Sequence, residues 1–153
     1  MPTAWRIVTR QWATSAFDGE GARLYGGRWN SPGLAAVYLA DSRALAALET
    51  LVHHPGIPEL AYVRFAVYFT DALVERIDRA QVCDRLESLV VAPETQTVGD
   101  DWLRRADKPV LEVPSAIIPE EKIYLLNPRH PKFGQIKIGS PEAFAFDPRL
   151  LEN

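Results

Sequence analysis

Hydrophobic positions in this chain fall in short runs broken by glycine and proline. Ala35-Ala-Val-Tyr-Leu-Ala40 follows the turn signal Asn30-Ser-Pro-Gly33 and predicts a short buried strand. Asp41-Ser42 then offers a helix N-cap, and the pattern predicts a helix from about Arg43 to His53, closed by Pro55-Gly56. From Ala44 to Val52 every residue except Glu49 and Thr50 is apolar, so this helix is expected to be buried on most sides.

The same reading predicts strands at Trp5 to Val8, Ala61 to Phe69 and Leu73 to Ile77. Further strands are expected at Val110 to Ile118, interrupted by Pro114, and at Ile123 to Asn127, with short late ones at Ile136 to Ile138 and Ala143 to Phe146. Gln11 to Glu20 reads as an irregular or briefly helical entry segment. Gly26-Gly27 forces a tight turn, because glycine alone visits positive φ without penalty. Modest helices are expected at Gln81 to Leu89 and, around Trp102, at Asp100 to Ala106. The sum is one mixed, strand-rich α+β domain over residues 1–153, with a compact sheet core and short helices.

Composition narrows the function without naming it. Net charge is -3, and the densest basic stretch, Arg104, Arg105 and Lys108, is diluted by Asp100, Asp101 and Asp107. That argues against a protein whose main task is gripping nucleic-acid phosphates. Cys83 is the only cysteine, which rules out an intrachain disulfide and a thiolate metal site. The start, Met-Pro-Thr-Ala-Trp-Arg, lacks the basic and apolar regions of a signal peptide, and no apolar run approaches ~20 residues. A soluble cytoplasmic protein, with no membrane segment, is expected.

Three awkward residues lie within 22 positions of one another, from Arg28 to Glu49. Glu49 is a carboxylate in a greasy helix, where burial costs several kcal/mol unless it is paired or bound to something. It either occupies a wet stripe, holds an arginine structurally, or serves a ligand. Arg28 follows two glycines that let the backbone approach a ligand, and its fork suits carboxylate or pyrophosphate; otherwise it is a surface arginine after a turn. Tyr38 is a core tyrosine, or a ring that stacks on a heterocycle. Ser115 has no nucleophile elbow around it, and Asn30 either stabilises its turn or meets substrate. Glu49 and His53 stand at i, i+4, but no His-Glu-x-x-His accompanies them, and no metal is expected from His53, His54 or His130.

The combination Gly26-Gly-Arg-Trp-Asn30, Ala47-Leu-Glu-Thr-Leu-Val-His53, Val113-Pro-Ser-Ala-Ile117 and Leu126-Asn-Pro-Arg-His-Pro131 resembles the RES-domain family. That family comprises the toxin halves of bacterial RES–Xre toxin–antitoxin pairs, and is named for an arginine, a glutamate and a serine. Arg28, Glu49 and Ser115 match them, Phe146-Asp-Pro-Arg-Leu150 resembles the family's tail, and Leu73 to Lys108 carries little of the family's signal.

The resemblance implies an ADP-ribosyltransferase-like fold and an enzyme that consumes NAD as substrate, with no further cofactor. It cleaves the nicotinamide–ribose bond, by hydrolysis or phosphorolysis, and so arrests growth. Catalytic roles are expected for Glu49, Arg28 and Tyr38, and substrate contacts for Arg28, Tyr38, Ser115 and Asn30. The expected partner is an Xre-type helix-turn-helix antitoxin that covers the active site and supplies the DNA binding, giving a hetero-oligomer, with a homodimer as a further assembly. The alternatives are an ADP-ribosyltransferase acting on a cellular protein, and a non-catalytic module in which Arg28 and Glu49 form a structural pair.

Overall fold

A computed structural model of the chain describes residues 3–53, 61–78 and 93–151. The expected helix at 81–89, the Pro55-Gly56 stop, His54 and Cys83 lie outside the described residues. Strands β1 (Thr3–Thr9), β2 (Val37–Ala40), β3 (Tyr62–Tyr68), β4 (Val74–Arg76), β5 (Val110–Pro114), β6 (Lys122–Leu126), β7 (Lys137–Ile138) and β8 (Glu142–Phe144) join in one sheet. Its order is β4-β5-β6-β2-β1-β3-β7, with β8 also on β3. Among the described residues only the β4–β5 pair is parallel. The α-helices among the described residues are α1 (Glu20–Tyr25), α2 (Arg43–His53) and α3 (Pro93–Arg105).

Period-two alternation divides the apolar residues between two faces. Tyr38 and Ala40 of β2, Leu111 and Val113 of β5, and Ile123 and Leu125 of β6 join Trp29, Leu45, Ala46 and Trp102 in one cluster. Val37, Leu39, Val110, Tyr124 and Leu126 pack on the opposite side with Val67, Phe69 and Leu73. Helices α2 and α3 therefore cover the face that carries Tyr38. Ser42 caps α2, its Oγ accepting the Leu45 amide at 3.0 Å, while Asp41 binds the Lys122 amide at 3.0 Å instead.

The middle of the sheet is joined unevenly. β1 meets β2 at Trp5↔Ala40, and the place of a further rung is taken by a side chain. Arg6 Nη1 donates to Tyr38 O at 2.9 Å, and its Nε donates to Ala16 O at 2.7 Å. Burial pushes this guanidinium down to about 10, against the opposing pull of Asp18, so it stays cationic at neutral pH. The backbone of β2 at Tyr38 is thus held from one side by β6 and from the other by an arginine.

Two expectations are corrected. α2 is not buried on most sides: among its residues Leu45 and Ala46 are buried, whereas Leu48 is 37% and Val52 58% exposed. It lies on the sheet with one face in, which pattern alone could not separate from full burial. The entry segment read as irregular or briefly helical carries a short 3-10 helix at Arg10–Ser15, and α1 follows it over residues for which, beyond Glu20, the pattern predicts no element. α3 begins at Pro93, well before Asp100, although Thr95, Thr97 and Gly99 are weak helix formers; tertiary contacts made by that first half override propensity. Trp102 is fully enclosed and its Nε1 donates to Lys108 O at 2.9 Å. Trp102→Ala should lower unfolding free energy by about 3–5 kcal/mol, read from urea denaturation.

Candidate active site

The Gly-Gly-Arg-Trp-Asn loop is built by two different uses of glycine. Gly26 has φ +73° and ends α1, its amide donating to Ala22 O at 2.8 Å. Gly27 is needed for space instead: a Cβ there would stand 2.6 Å from the Tyr38 hydroxyl. Gly27 and Asn30 pair as a short antiparallel bridge, which puts Arg28 and Trp29 at the turn between them. Trp29 is 2% exposed and anchors the loop in the core, while Arg28 is half-buried.

Tyr38 ties this loop to the sheet. Its hydroxyl accepts the Trp29 amide at 3.0 Å and donates to Asn30 Oδ1 at 2.7 Å. Burial pushes the phenol well above its ordinary value; the Trp29 bond and the charge of Arg28 oppose that rise and Asp100 adds to it. The residue as a whole is half-buried, so part of it reaches the surface although the hydroxyl is spent internally. Asn30 is fully buried, and its Nδ2 donates to Ala22 O at 2.9 Å and Leu34 O at 3.1 Å. Asn30, expected either to stabilise its turn or to meet substrate, is engaged by the loop and by Tyr38 through both its nitrogen and its oxygen.

Glu49 and Ser115 meet at the other end. Ser115 is fully buried and its Oγ accepts the amides of Ile117 and Ile118, each at 3.1 Å, so both lone pairs are engaged. The hydroxyl proton is left for Glu49 Oε1, at 3.2 Å. Ser115, expected to contact substrate, is thus bonded to Glu49 and has no exposed surface of its own. Glu49 keeps 23% of its side chain exposed, with Oε2 3.4 Å from His53 Nε2. Among the described residues, no group of three or more His, Cys, Asp and Glu could hold a metal ion.

Sequence reasoning missed a second set, on α3. Thr95 Oγ1 donates to Arg28 O at 2.6 Å, and Gln96 Nε2 donates to Gly27 O and Asn30 O at 3.0 and 3.2 Å. Gly99 lies so close to the loop that an ideally placed Cβ would fall 1.6 Å from Trp29 O. Buried Asp100 accepts the Ser31 amide at 2.8 Å and the Ser31 hydroxyl at 2.6 Å. Positions 95, 96, 99 and 100 share one helix face, and that polar-small spacing was the available signal. The tail motif is structural: Asn127 Oδ1 and His130 Nδ1 accept the Arg129 and Lys132 amides, and a Cβ on Gly19 would stand 2.9 Å from Pro128.

The raised Tyr38 phenol sets the sign of a pH dependence. Its contribution to stability is complete below the ordinary tyrosine value of about 10 and is lost as pH climbs past it. Tyr38→Phe should cost about 1–3 kcal/mol near neutral pH, because Asn30 Oδ1 and the Trp29 amide lose their partner. Denaturant melts near pH 8 and near pH 11 should show the gap between variant and wild type narrowing at the higher pH.

Comparison with known proteins agrees with this architecture. The chain is 40% identical over 149 residues to Toxin Res of Yersinia enterocolitica, a match covering 95% of this chain and 97% of the other. It is 35% identical to the Prs ADP-ribosylating toxin of Sphingobium sp. over 96% of this chain and 95% of that one. The NAD(+) phosphorylase MbcT of Mycobacterium tuberculosis is 36% identical over 97 residues, 57% of this chain and 49% of MbcT. The crystal structure of the M. tuberculosis MbcT–MbcA toxin–antitoxin complex superposes with TM-score 0.78 at 24% identity, covering 97% of this chain and 86% of that one. The α+β fold expected above is the one observed, and it is shared with that toxin. The RES domain profile matches residues 3–147, and the chain belongs to the RES domain family.

Proposed function

We propose that this protein is the toxin of a toxin–antitoxin pair and that it consumes NAD by cleaving the nicotinamide–ribose bond. The observation that carries the reading is the state of Glu49. It is a partly exposed carboxylate with one oxygen held by a fully buried serine whose lone pairs are already taken. Breaking the bond to nicotinamide builds oxocarbenium-like charge on the ribose, which an oriented carboxylate stabilises. Nicotinamide leaves as a neutral molecule, so no general acid is called for. Arg28 clamps the pyrophosphate by charge-assisted hydrogen bonds. Tyr38 presents its ring to the nicotinamide or adjacent ribose, its hydroxyl being committed to the loop.

The MbcT relative supports phosphate as acceptor, since it is named an NAD(+) phosphorylase. A second reading, transfer of ADP-ribose to a cellular protein, is favoured by the near full-length similarity to the Prs ADP-ribosylating toxin. An antitoxin partner is supported by the likeness to a toxin taken from a toxin–antitoxin complex. In this proposal the partner is an Xre-type protein that covers the site, and the exposed Leu48 and Val52, one turn apart beside Glu49 and His53, are apolar contacts for it. Among the described residues no helix is long and apolar enough to cross a membrane, and the proposed place of action is the cytoplasm, where NAD is available.

Purified protein incubated with NAD, with and without phosphate, should release nicotinamide. Glu49→Gln should slow that release about a thousandfold while leaving the melting temperature nearly unchanged, because glutamine still accepts the Ser115 proton. Intact NAD after incubation with the wild type, together with a labelled protein band when lysate and labelled NAD are added, would replace the first reading by the second.

A further inference from the structure

The first half of α3 makes contacts that a helix merely docking on a sheet does not need. Four of its residues address consecutive backbone groups of one loop: the carbonyls of Gly27, Arg28 and Asn30, the Trp29 carbonyl in van der Waals contact, and the amide of Ser31. Thr95 is fully buried, Gly99 and Asp100 are buried, and no side chain other than hydrogen could occupy position 99 without moving the loop. The loop's own bridge closes at Gly27 and Asn30; between those points Tyr38 holds the Trp29 amide, and the carbonyls depend on what α3 supplies.

We propose that α3 is the positioning element for Arg28. Thr95 and the Ser31–Asp100 pair are its two pins, and this clamp sets affinity for the dinucleotide rather than the rate of bond cleavage. The inference rests on the reading of Arg28 as the pyrophosphate clamp. Thr95 binds the carbonyl of Arg28 itself, which limits rotation about that residue's ψ and so the direction in which its side chain leaves the backbone. Asp100 fixes the far end of the loop by accepting two hydrogen bonds from Ser31. Its charge also reaches the Tyr38 hydroxyl, so loop, strand and helix share one electrostatic centre. A guanidinium that must make two parallel hydrogen bonds loses much of its affinity when its stem wanders by about 1 Å.

Calorimetric titration of NAD into the Glu49→Gln chain, in which the dinucleotide survives, separates binding from turnover. Thr95→Val should raise the dissociation constant about tenfold, and Thr95→Ser should restore it. Ser31→Ala, which removes one hydroxyl and leaves the amide in place, should raise it about threefold and serves where Thr95→Val does not fold. With Glu49 intact, kcat should change less than about threefold for either variant. The deciding measurement is a double-mutant cycle: on an Arg28→Ala background, Thr95→Val should have no further effect on NAD affinity. Equal effects of Thr95→Val with and without Arg28 would overturn the proposal, making α3 a structural support only. Arg28→Ala with unchanged affinity would overturn the clamp reading and the proposal together, whereas weakened binding by Arg28→Ala but not by Thr95→Val would sink the proposal alone.

Discussion

The hydroxyl of Tyr38 is the point on which the site turns. It accepts from the Trp29 amide and donates to Asn30, and so joins a loop with few backbone partners of its own to the central strand of the sheet. Every neighbour is arranged around that group. A Cβ on Gly27 would stand 2.6 Å from the hydroxyl, and Asn30 is buried so that its oxygen can accept while its nitrogen holds α1 and the 31–34 turn. In a low-dielectric interior these bonds are strong together and costly to break singly, which makes the loop rigid.

Rigidity of the loop would mean little if the strand beneath it could shift. β2 is short, with four residues, and pairs fully with β6 but meets β1 at one position. Arg6 completes that side, using a buried cation to satisfy the carbonyl of Tyr38 where a ladder bond would otherwise be expected. On the opposite side of the loop, α3 satisfies the carbonyls that the sheet cannot reach. Tyr38, Arg6 and α3 thus fix one loop from three directions, and the residue presented at its turn is Arg28.

The carboxylate end is built by a different economy. Ser115 sits directly after β5, where its hydroxyl closes the turn to Ile117 and Ile118 and has one proton left over. That proton joins the end of β5 to the middle of α2 through Glu49. The glutamate needs no deep burial to be held in place; it is oriented by one directional bond and keeps part of its surface open. Ser115, which in the sequence has no nucleophile elbow around it, is hydrogen-bonded to the carboxylate instead.

Much of this was legible in one dimension. The alternation of apolar residues predicted the strands that carry the two faces, Ser42 marked the start of α2, and the awkward residues Arg28, Tyr38 and Glu49 stood out because each conflicts with its local context. Local sequence determines such features because propensity, capping and period act over a few residues. What α3 does was not legible: the sequence suggested a helix only from Asp100, none was expected over Thr95, Gln96 and Gly99, and the partners of Thr95, Gln96 and Asp100 lie 66 to 69 residues earlier. The exposure of Leu48 and Val52, the burial of Asn30 and the link from Ser115 to Glu49 were equally undecidable, since each depends on what the chain brings to that spot from far away. The sequence by itself determined which residues are out of place; only the tertiary structure decided which of them face outward and which are consumed in holding the others, because a hydrogen bond is specified by position in space and not by separation along the chain.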